Sequence, residues 1–529
     1  MSAATNPLER GFDPPRLGQV VASDRVRDGG SLSRDVSDKA QVCVIGTGAG
    51  GATVANELAR RGHSVIVLEE GAYLTGRDFT GVPGEMVDRL YRNRGLTGTV
   101  GRLMIPIPLG RCVGGTTTIN SGTCYRAPES VLHAWRNEHG ISGVSAAELA
   151  PYYERVERDL AVKPVPDRTY GRNSRLFERG SERLGHDGAR IPRNERGCLG
   201  TGVCAFGCPQ DAKQAMHVSY VPAALEAGAL LYTRARAHRL LISNGRAFGV
   251  VADFLDAHDR PTGKQLRVIA DRVVVACGAL LTPAFLERNG VGGASGALGR
   301  NLHIHPAARI GALFREEVRG WAEVPQAYNV HQFTEEGIFI QGQFVPPSFA
   351  APELPGIGMA HKQIMADYPY LGSFGALISD QSSGRVRAGR ASFPTVRYAM
   401  DDADRRKMLR AIGLTAEIFF AAGAIEVYPA IRSRPTLQNA DEAESITGSA
   451  VRPTDIEMMA FHPMGTARMA DDPKRGVTSA AGQVHDTRDL YVADASLFPA
   501  SCKVNPQMTI MALATRIGEH LAAGLGAPL

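Results

Sequence analysis

Three groups of residues in this 529-residue chain have types and spacings suited to chemistry. The first is Gly46-Thr47-Gly48-Ala49-Gly50-Gly51, in which Gly46, Gly48 and Gly51 fit the pattern G-x-G-x-x-G. Such glycines serve a tight turn, backbone access to a pyrophosphate and close helix–strand packing. The helix that follows turns free N–H groups and a partial positive charge toward the phosphates. Glu69 comes about 20 residues later, where a carboxylate accepts from ribose hydroxyls. The second group is His462, in Phe461-His462-Pro463-Met464-Gly465-Thr466, with Asn505, in Val504-Asn505-Pro506. A neutral imidazole can accept a proton near neutral pH. Taken alone, His462 equally suits a hydrogen-bonded core side chain, and Asn505-Pro506 a helix N-cap followed by proline. The third group is Cys198, Cys204 and Cys208, followed by Pro209. Closely spaced thiolates of this kind can ligate an iron–sulfur cluster. Cys43, Cys112, Cys124, Cys277 and Cys502 sit singly in apolar or Gly-rich runs, as buried free thiols do.

The elements that must position these groups are legible as patterns. A β-branched strand at 42–45, an amphipathic helix ending at Arg61-Gly62 and a second strand at 65–68 make a βαβ unit around the glycines. Helices are predicted at 140–160 and 217–228, and a continuous apolar strand at 271–277 ends at Gly278. Alternation at 337–345 and 374–378 predicts antiparallel strands, and 404–422 one long helix. A strand at 490–493 leads to Asp494, and a terminal helix begins near Pro506. Hydrophobic residues are 44% and charged residues 21% of the chain, the balance of a folded globular protein. The 59 basic side chains face 54 acidic ones with no basic block, so nucleic-acid binding is not expected. No apolar run is long enough for a transmembrane helix. The polar, proline-broken N-terminus lacks the layout of a secretory signal, and a soluble, cytoplasmic protein is expected.

Five further segments point to one family. Residues 110–123 (GRCVGGTTTINSGT) form a second Gly-rich loop, and 278–292 read GALLTPAFLERNGVG. The C-terminal part carries FHPMGTARM (461–469), YVADASLFP (491–499) and KVNPQMTIMALA (503–514). In this order and spacing, from about residue 38 to the end, the chain resembles the glucose–methanol–choline (GMC) oxidoreductases. Tyr91-Arg92-Asn93-Arg94-Gly95, Lys213-Gln214 and Asn301-Leu302-His303-Ile304-His305-Pro306 resemble the long-chain alcohol oxidase branch. Asn289 departs from the family's serine, and it too suits a turn before Gly290.

The resemblance implies an α/β fold, with a Rossmann-like FAD-binding domain and a substrate domain built on an antiparallel sheet flanked by helices. Residues 1–37 read as an irregular leader, and the resemblance places the FAD domain in 38–135, 210–310 and 455–529 and the substrate domain in 136–209 and 311–454. It implies an FAD-dependent oxidation of an apolar alcohol (long-chain, aromatic or sterol-like), with hydride passing to the flavin N5 and dioxygen or another acceptor taking the electrons. His462 is then the general base and Asn505 its partner. The cofactor would rest on Gly46, Gly48, Gly51, Glu69, Gly114, Gly115, Thr116, Asn120, Gly122, Asp494, Ala495, Asn505 and Pro506. Ile119 stands where some relatives carry a flavin-linking histidine, so the FAD is expected to be non-covalent. His303 and His305 suit a packing role at least as well as the active-site roof. An alternative is a sugar or polyol dehydrogenase passing electrons through a cluster at Cys198, Cys204 and Cys208, but Leu199 breaks the paired-cysteine start of the cluster-bearing relatives. A structural loop is the favoured reading there, with no metal expected, and zinc lacks a fourth ligand. A flavin-binding protein without turnover is the third reading, and the presence of both His462 and Asn505 argues against it.

Overall fold

Strand Val36–Ile45 is buried along its last six residues, as a strand covered on both faces must be. In the computed structural model, which describes residues 17–21, 23–389 and 393–526, this strand is the axis of an eight-stranded sheet. Val65–Leu68, Leu230–Thr233 and Val26–Asp28 pair in parallel on one side of it. Pro261–Val275 pairs in parallel on the other side and carries Leu490–Val492 at its end. Arg246–Leu255 and Ala235–Ser243 extend the sheet as an antiparallel ribbon. Helix Ala49–Ala59 covers one face, with Gln507–Gly524 and Tyr220–Glu226 against it and Ala146–Asp159 beyond. Ala146–Asp159 starts at a capping box, Ser145 with Glu148.

This is the Rossmann-like arrangement. The carboxyl ends of four parallel strands run directly into Gly46, Glu69, Ala276–Gly278 and Ala493-Asp494, and that edge is where such sheets take ligands. Three local expectations change. The leader is not irregular throughout: Val26–Asp28 is an edge strand, too short to show periodicity in the sequence. Residues 1–16 lie outside the described residues. The helix expected at 217–228 begins at Tyr220, and the strand expected to reach Cys277 ends at Val275.

The second sheet has seven antiparallel strands, centred on Pro306–Leu313 and Leu371–Ile378, with Ile338–Gly342, Tyr328–Val330 and Gly188–Arg190 on one flank and Glu426–Tyr428 on the other. Met459–Ala460 pairs with the first two residues of Pro306–Leu313. Alternation here separates two covered faces. Ile340, Phe374, Ala376 and Ile378 pack in one core with helix Asp402–Ala421, while Gln341 and Leu377 line a cavity. Phe177 stacks on Phe374 at 3.6 Å and meets Phe419 edge-on at 5.0 Å. Asp401 caps the long helix by accepting from the Asp404 N–H (2.8 Å). Among the described residues no helix is long and apolar enough to cross a membrane.

Helix Ala49–Ala59 touches the exit of strand Leu490–Val492 so closely that a Cβ at Gly50 would lie 1.6 Å from the Ala493 carbonyl oxygen. Both partners are backbone, and no side chain can yield. Gly50→Ala is expected to cost about 1–3 kcal/mol or more, lowering both the melting temperature and the FAD content of the purified protein. An unchanged melt with full flavin occupancy would show that this crossing is loose.

Candidate active site

A cavity of about 630 Å³ opens where the two sheets meet, a size typical of ligand sites. Its floor is the glycine turn. Gly46 has φ +104°, and a Cβ there would lie 2.4 Å from the Ala276 carbonyl oxygen. Gly48 is the N-cap of helix Ala49–Ala59 with no side-chain cap, and a Cβ there would meet nothing within 4 Å. The first-turn N–H groups of this helix thus face the cavity without an internal partner. Gly51 and Gly114 do not line the cavity. Gly51 packs the helix onto Gly46, and the Gly114 N–H donates to Thr47 Oγ1 (3.0 Å), joining the two Gly-rich loops.

Glu69 lines the cavity, but both its oxygens already serve the chain: Oε2 accepts from the Thr47 N–H (3.1 Å) and Oγ1 (2.5 Å), and Oε1 from the Gly71 N–H (2.9 Å). Burial pushes its carboxyl up against those bonds. Its neighbour Glu70, overlooked in the motif, also lines the cavity. Burial raises the Glu70 carboxyl, yet Arg92 (2.6 Å) and Arg236 (2.8 Å) outweigh it and hold it at about 2.

The second loop forms a short helix, Thr116–Ile119, whose end is held by the buried Lys213. The Lys213 ammonium donates to the carbonyls of Thr118 (2.9 Å), Asn120 (2.5 Å) and Cys204 (2.9 Å). Asn120 in turn donates to Gln507 Oε1 (2.5 Å) and accepts from the Gly122 N–H (3.0 Å). Thr116, Asn120, Gly115 and Gly122 all line the cavity. Asp494, Ala495, Asn505 and Pro506 line it too. Asp494 accepts from the Gly278 N–H (2.8 Å) and Thr282 Oγ1 (2.6 Å), and also from the N–H and hydroxyl of Ser496, so it builds the turn it stands on.

His462 sits in the wall opposite these loops. Met459–Ala460 pairs with Pro306–Ala307, and Met464 exchanges backbone hydrogen bonds with His303 (2.9 and 3.1 Å). A Cβ at Gly465 would lie 2.2 Å from the Asn301 carbonyl oxygen, so the two segments lie in direct contact. The Asn505 side-chain amide nitrogen stands 3.2 Å from His462 Nε2. Asn505 is not the N-cap of the terminal helix: that position is Pro506, with no side-chain cap, because the amide is turned toward the imidazole. His462 Nδ1 lies 3.3 Å from His305 Nδ1, a contact the sequence did not disclose because the two rings belong to distant segments. Burial lowers His462 to about 4, so the ring is neutral.

Among the described residues, four buried polar atoms of cavity-lining side chains lack a partner: Arg92 Nε, Asn505 Oδ1, Gln507 Nε2 and Gln341 Oε1. Buried polar groups are normally paired, so this wall is built for a polar occupant. The uncapped helix, the glycine floor and these atoms together fit FAD. The cysteine loop does not fit a cluster. Among the described residues no group of three or more His, Cys, Asp or Glu is placed to hold a metal ion. Cys204 instead accepts from Arg193 (3.6 Å), and its carbonyl anchors Lys213 beneath the Thr116–Asn120 loop.

Two GMC oxidoreductase family models match, over residues 87–307 and 380–514, and an NAD(P)-binding Rossmann-like model matches 44–93. An uncharacterized GMC-type oxidoreductase of Mycobacterium tuberculosis is 39% identical over 487 residues, covering 92% of this chain and 76% of that protein. The chain belongs to the GMC oxidoreductases. A long-chain-alcohol oxidase of Arabidopsis thaliana is 27% identical, over 96% of this chain and 69% of its own. The GMC fold is also that of pyridoxine 4-oxidase from Mesorbium loti, with a TM-score of 0.68 at 18% identity over 91% of this chain and 99% of that one. As a GMC oxidoreductase it is an FAD-dependent enzyme acting on alcohols.

The Glu70 cluster carries a pH signature. Its folded carboxyl lies at about 2 against an ordinary 4.5, so its stabilising contribution is complete above the unfolded value and is lost as pH falls through the folded one. Glu70→Gln is expected to unfold with a shallower acid dependence between those two values in pH-jump melts. An identical acid limb in both proteins would remove Glu70 as a stabilising charge.

Proposed function

We propose that this GMC oxidoreductase oxidises an apolar primary or secondary alcohol to the aldehyde or ketone, with His462 as general base and Asn505 holding the substrate oxygen. The observation that carries the reading is the convergence of His462 Nε2 and the Asn505 amide on one cavity wall, facing the glycine cradle. FAD, held on Gly46, Gly48, Gly115, Thr116, Asn120, Gly122, Asp494 and Ala495, supplies the hydride acceptor. Ile119 offers no nucleophile at the wall, which supports non-covalent binding.

The chain's own residues account for the proton. Asn505 Nδ2 can only donate, so the facing Nε2 of His462 is the bare, accepting nitrogen and Nδ1 carries the hydrogen. A substrate hydroxyl entering there draws the Asn505 N–H onto its oxygen and turns its own O–H to the Nε2 lone pair so freed. As the carbinol C–H leaves as hydride, the hydroxyl proton passes to Nε2 and the carbon–oxygen double bond forms. The Asn505 amide stays on the oxygen throughout. Dioxygen or another acceptor then takes the electrons.

Phe344, Val345, Phe349, Leu377, Met459 and Phe461 give the outer cavity an apolar wall. Residues 333–365, rich in Phe, Ile, Met and Pro, supply part of this wall, but Ile357 and Met359 are 93% and 75% exposed. A hydroxyl-rich substrate is the second reading, favoured by one observation. Gln341 is buried with an unpartnered Oε1 in the same wall, able to accept from a second hydroxyl. Anaerobic flavin reduction by matched panels of 1-alkanols, aryl alcohols and polyols separates the two.

His462→Ala is expected to slow flavin reduction at least about 100-fold while FAD stays bound. Because the ring titrates at about 4, wild-type kcat/KM should be level at neutral pH and fall about tenfold per unit below that value as the base is protonated. Wild-type turnover in the alanine variant removes His462 as the base.

A further inference from the structure

Removing the hydroxyl proton leaves His462 with one proton more than a buried neutral ring holds easily, and among the described residues no carboxylate touches it to balance the charge. His462 Nδ1 contacts His305 Nδ1 (3.3 Å), His305 Nε2 contacts Ser501 Oγ (2.5 Å), and Ser501 Oγ contacts Ser379 Oγ (2.7 Å). The chain leads from the cavity wall to Ser379, a residue that is only partly buried. We propose that His305, Ser501 and Ser379 form a hydrogen-bonded relay that carries the proton taken up at His462 out of the active site. The proposal rests on His462 being the base.

The donor order fits transfer in that direction. With Nε2 of His462 accepting, its Nδ1–H donates to His305 Nδ1, the Nε2–H of His305 donates to Ser501, and Ser501 donates to Ser379. When Nε2 of His462 gains the substrate proton, Nδ1 gives its own to His305, and each member in turn releases one proton as it receives one. Ser379 gives its own hydroxyl proton to solvent water, so every bond made to hydrogen is matched by one broken and no charge rests on the chain. The groups facing His305 discourage any pause there. Burial, and after it the neighbouring His462, His303 and Lys407, push His305 far below the usual imidazole range. The Lys407 ammonium donates to the Ser379 carbonyl (2.7 Å). The Asp380 carboxylate is spent on the N–H groups of Ile304 (2.9 Å) and His305 (3.3 Å), leaving none for the ring.

The backbone is bent to hold this ring in place. His305 has φ +50°, the left-handed region, where a residue with a Cβ is strained by about 1–2 kcal/mol.

The test is stopped-flow flavin reduction of the full-length FAD-loaded enzyme, without oxygen, in H2O and D2O, using the 1-alkanol that reduces wild type fastest. Ser501→Ala and His305→Gln are expected to slow reduction at least about tenfold and to change its solvent isotope effect, with FAD content and melting temperature retained. Ser501→Thr, which keeps the hydroxyl, should stay within about twofold of wild type. Reduction at the wild-type rate and isotope effect in Ser501→Ala and His305→Gln overturns the relay, as does equal slowing by Ser501→Thr and Ser501→Ala. Full activity in His462→Ala would instead sink the base assignment, so the two failures are distinguishable.

Discussion

Everything at the reactive end of the cavity depends on one backbone pairing. Residues 459–464 run alongside residues 303–307, through Ala460 with Pro306, Met459 with Ala307, and Met464 with His303. This short ladder belongs to the antiparallel sheet, yet residues 465–469 hydrogen-bond back to the turn at 495–497 beside the parallel sheet. His462 lies between those attachments. Its distance from the glycine cradle is therefore set by backbone hydrogen bonds and not by side-chain fit. Gly465, at φ +91° and pressed on the Asn301 carbonyl, is the residue that lets the two segments approach.

The electrostatics divide along the same line. On the cradle side, charge is abundant and balanced: Glu70 between Arg92 and Arg236, Lys213 on three carbonyls, Asp494 on four donors. These groups fix loops that must hold a doubly charged pyrophosphate. His462 itself touches only neutral groups, the Asn505 amide and the His305 imidazole, while the Lys407 ammonium and the Asp380 carboxylate stand one shell further out on backbone groups. A base kept neutral by burial, with no carboxylate to stabilise its protonated form, suits fast release of the proton it accepts.

Much of the cradle was legible because each glycine answers a separate steric demand. Gly46 needs its positive φ, Gly51 abuts Gly46, and Gly48 leaves the phosphate position open. The acid at 69 was legible by spacing, but its actual partners, Thr47 and Gly71, are local backbone geometry that no pattern encodes. Taken alone, Asn505-Pro506 suits a helix cap as well, and it was the family resemblance that paired Asn505 with His462; the fold turns its amide toward that imidazole at 3.2 Å. The sequence left His305 open between packing and the active-site roof because its partners, His462, Ser501 and Ser379, are far away in sequence. The cysteines at 198, 204 and 208 resembled a ligand set in sequence, whereas their loop serves to seat Lys213 under the cofactor loop.

The most direct test is a crystal structure of the FAD-loaded enzyme with a non-oxidisable alcohol analogue. The account predicts the analogue's hydroxyl within hydrogen-bond reach of both His462 Nε2 and the Asn505 amide, with the pyrophosphate over Gly48. A hydroxyl bound away from His462, or a cofactor that does not lie on the glycine turn, would contradict it.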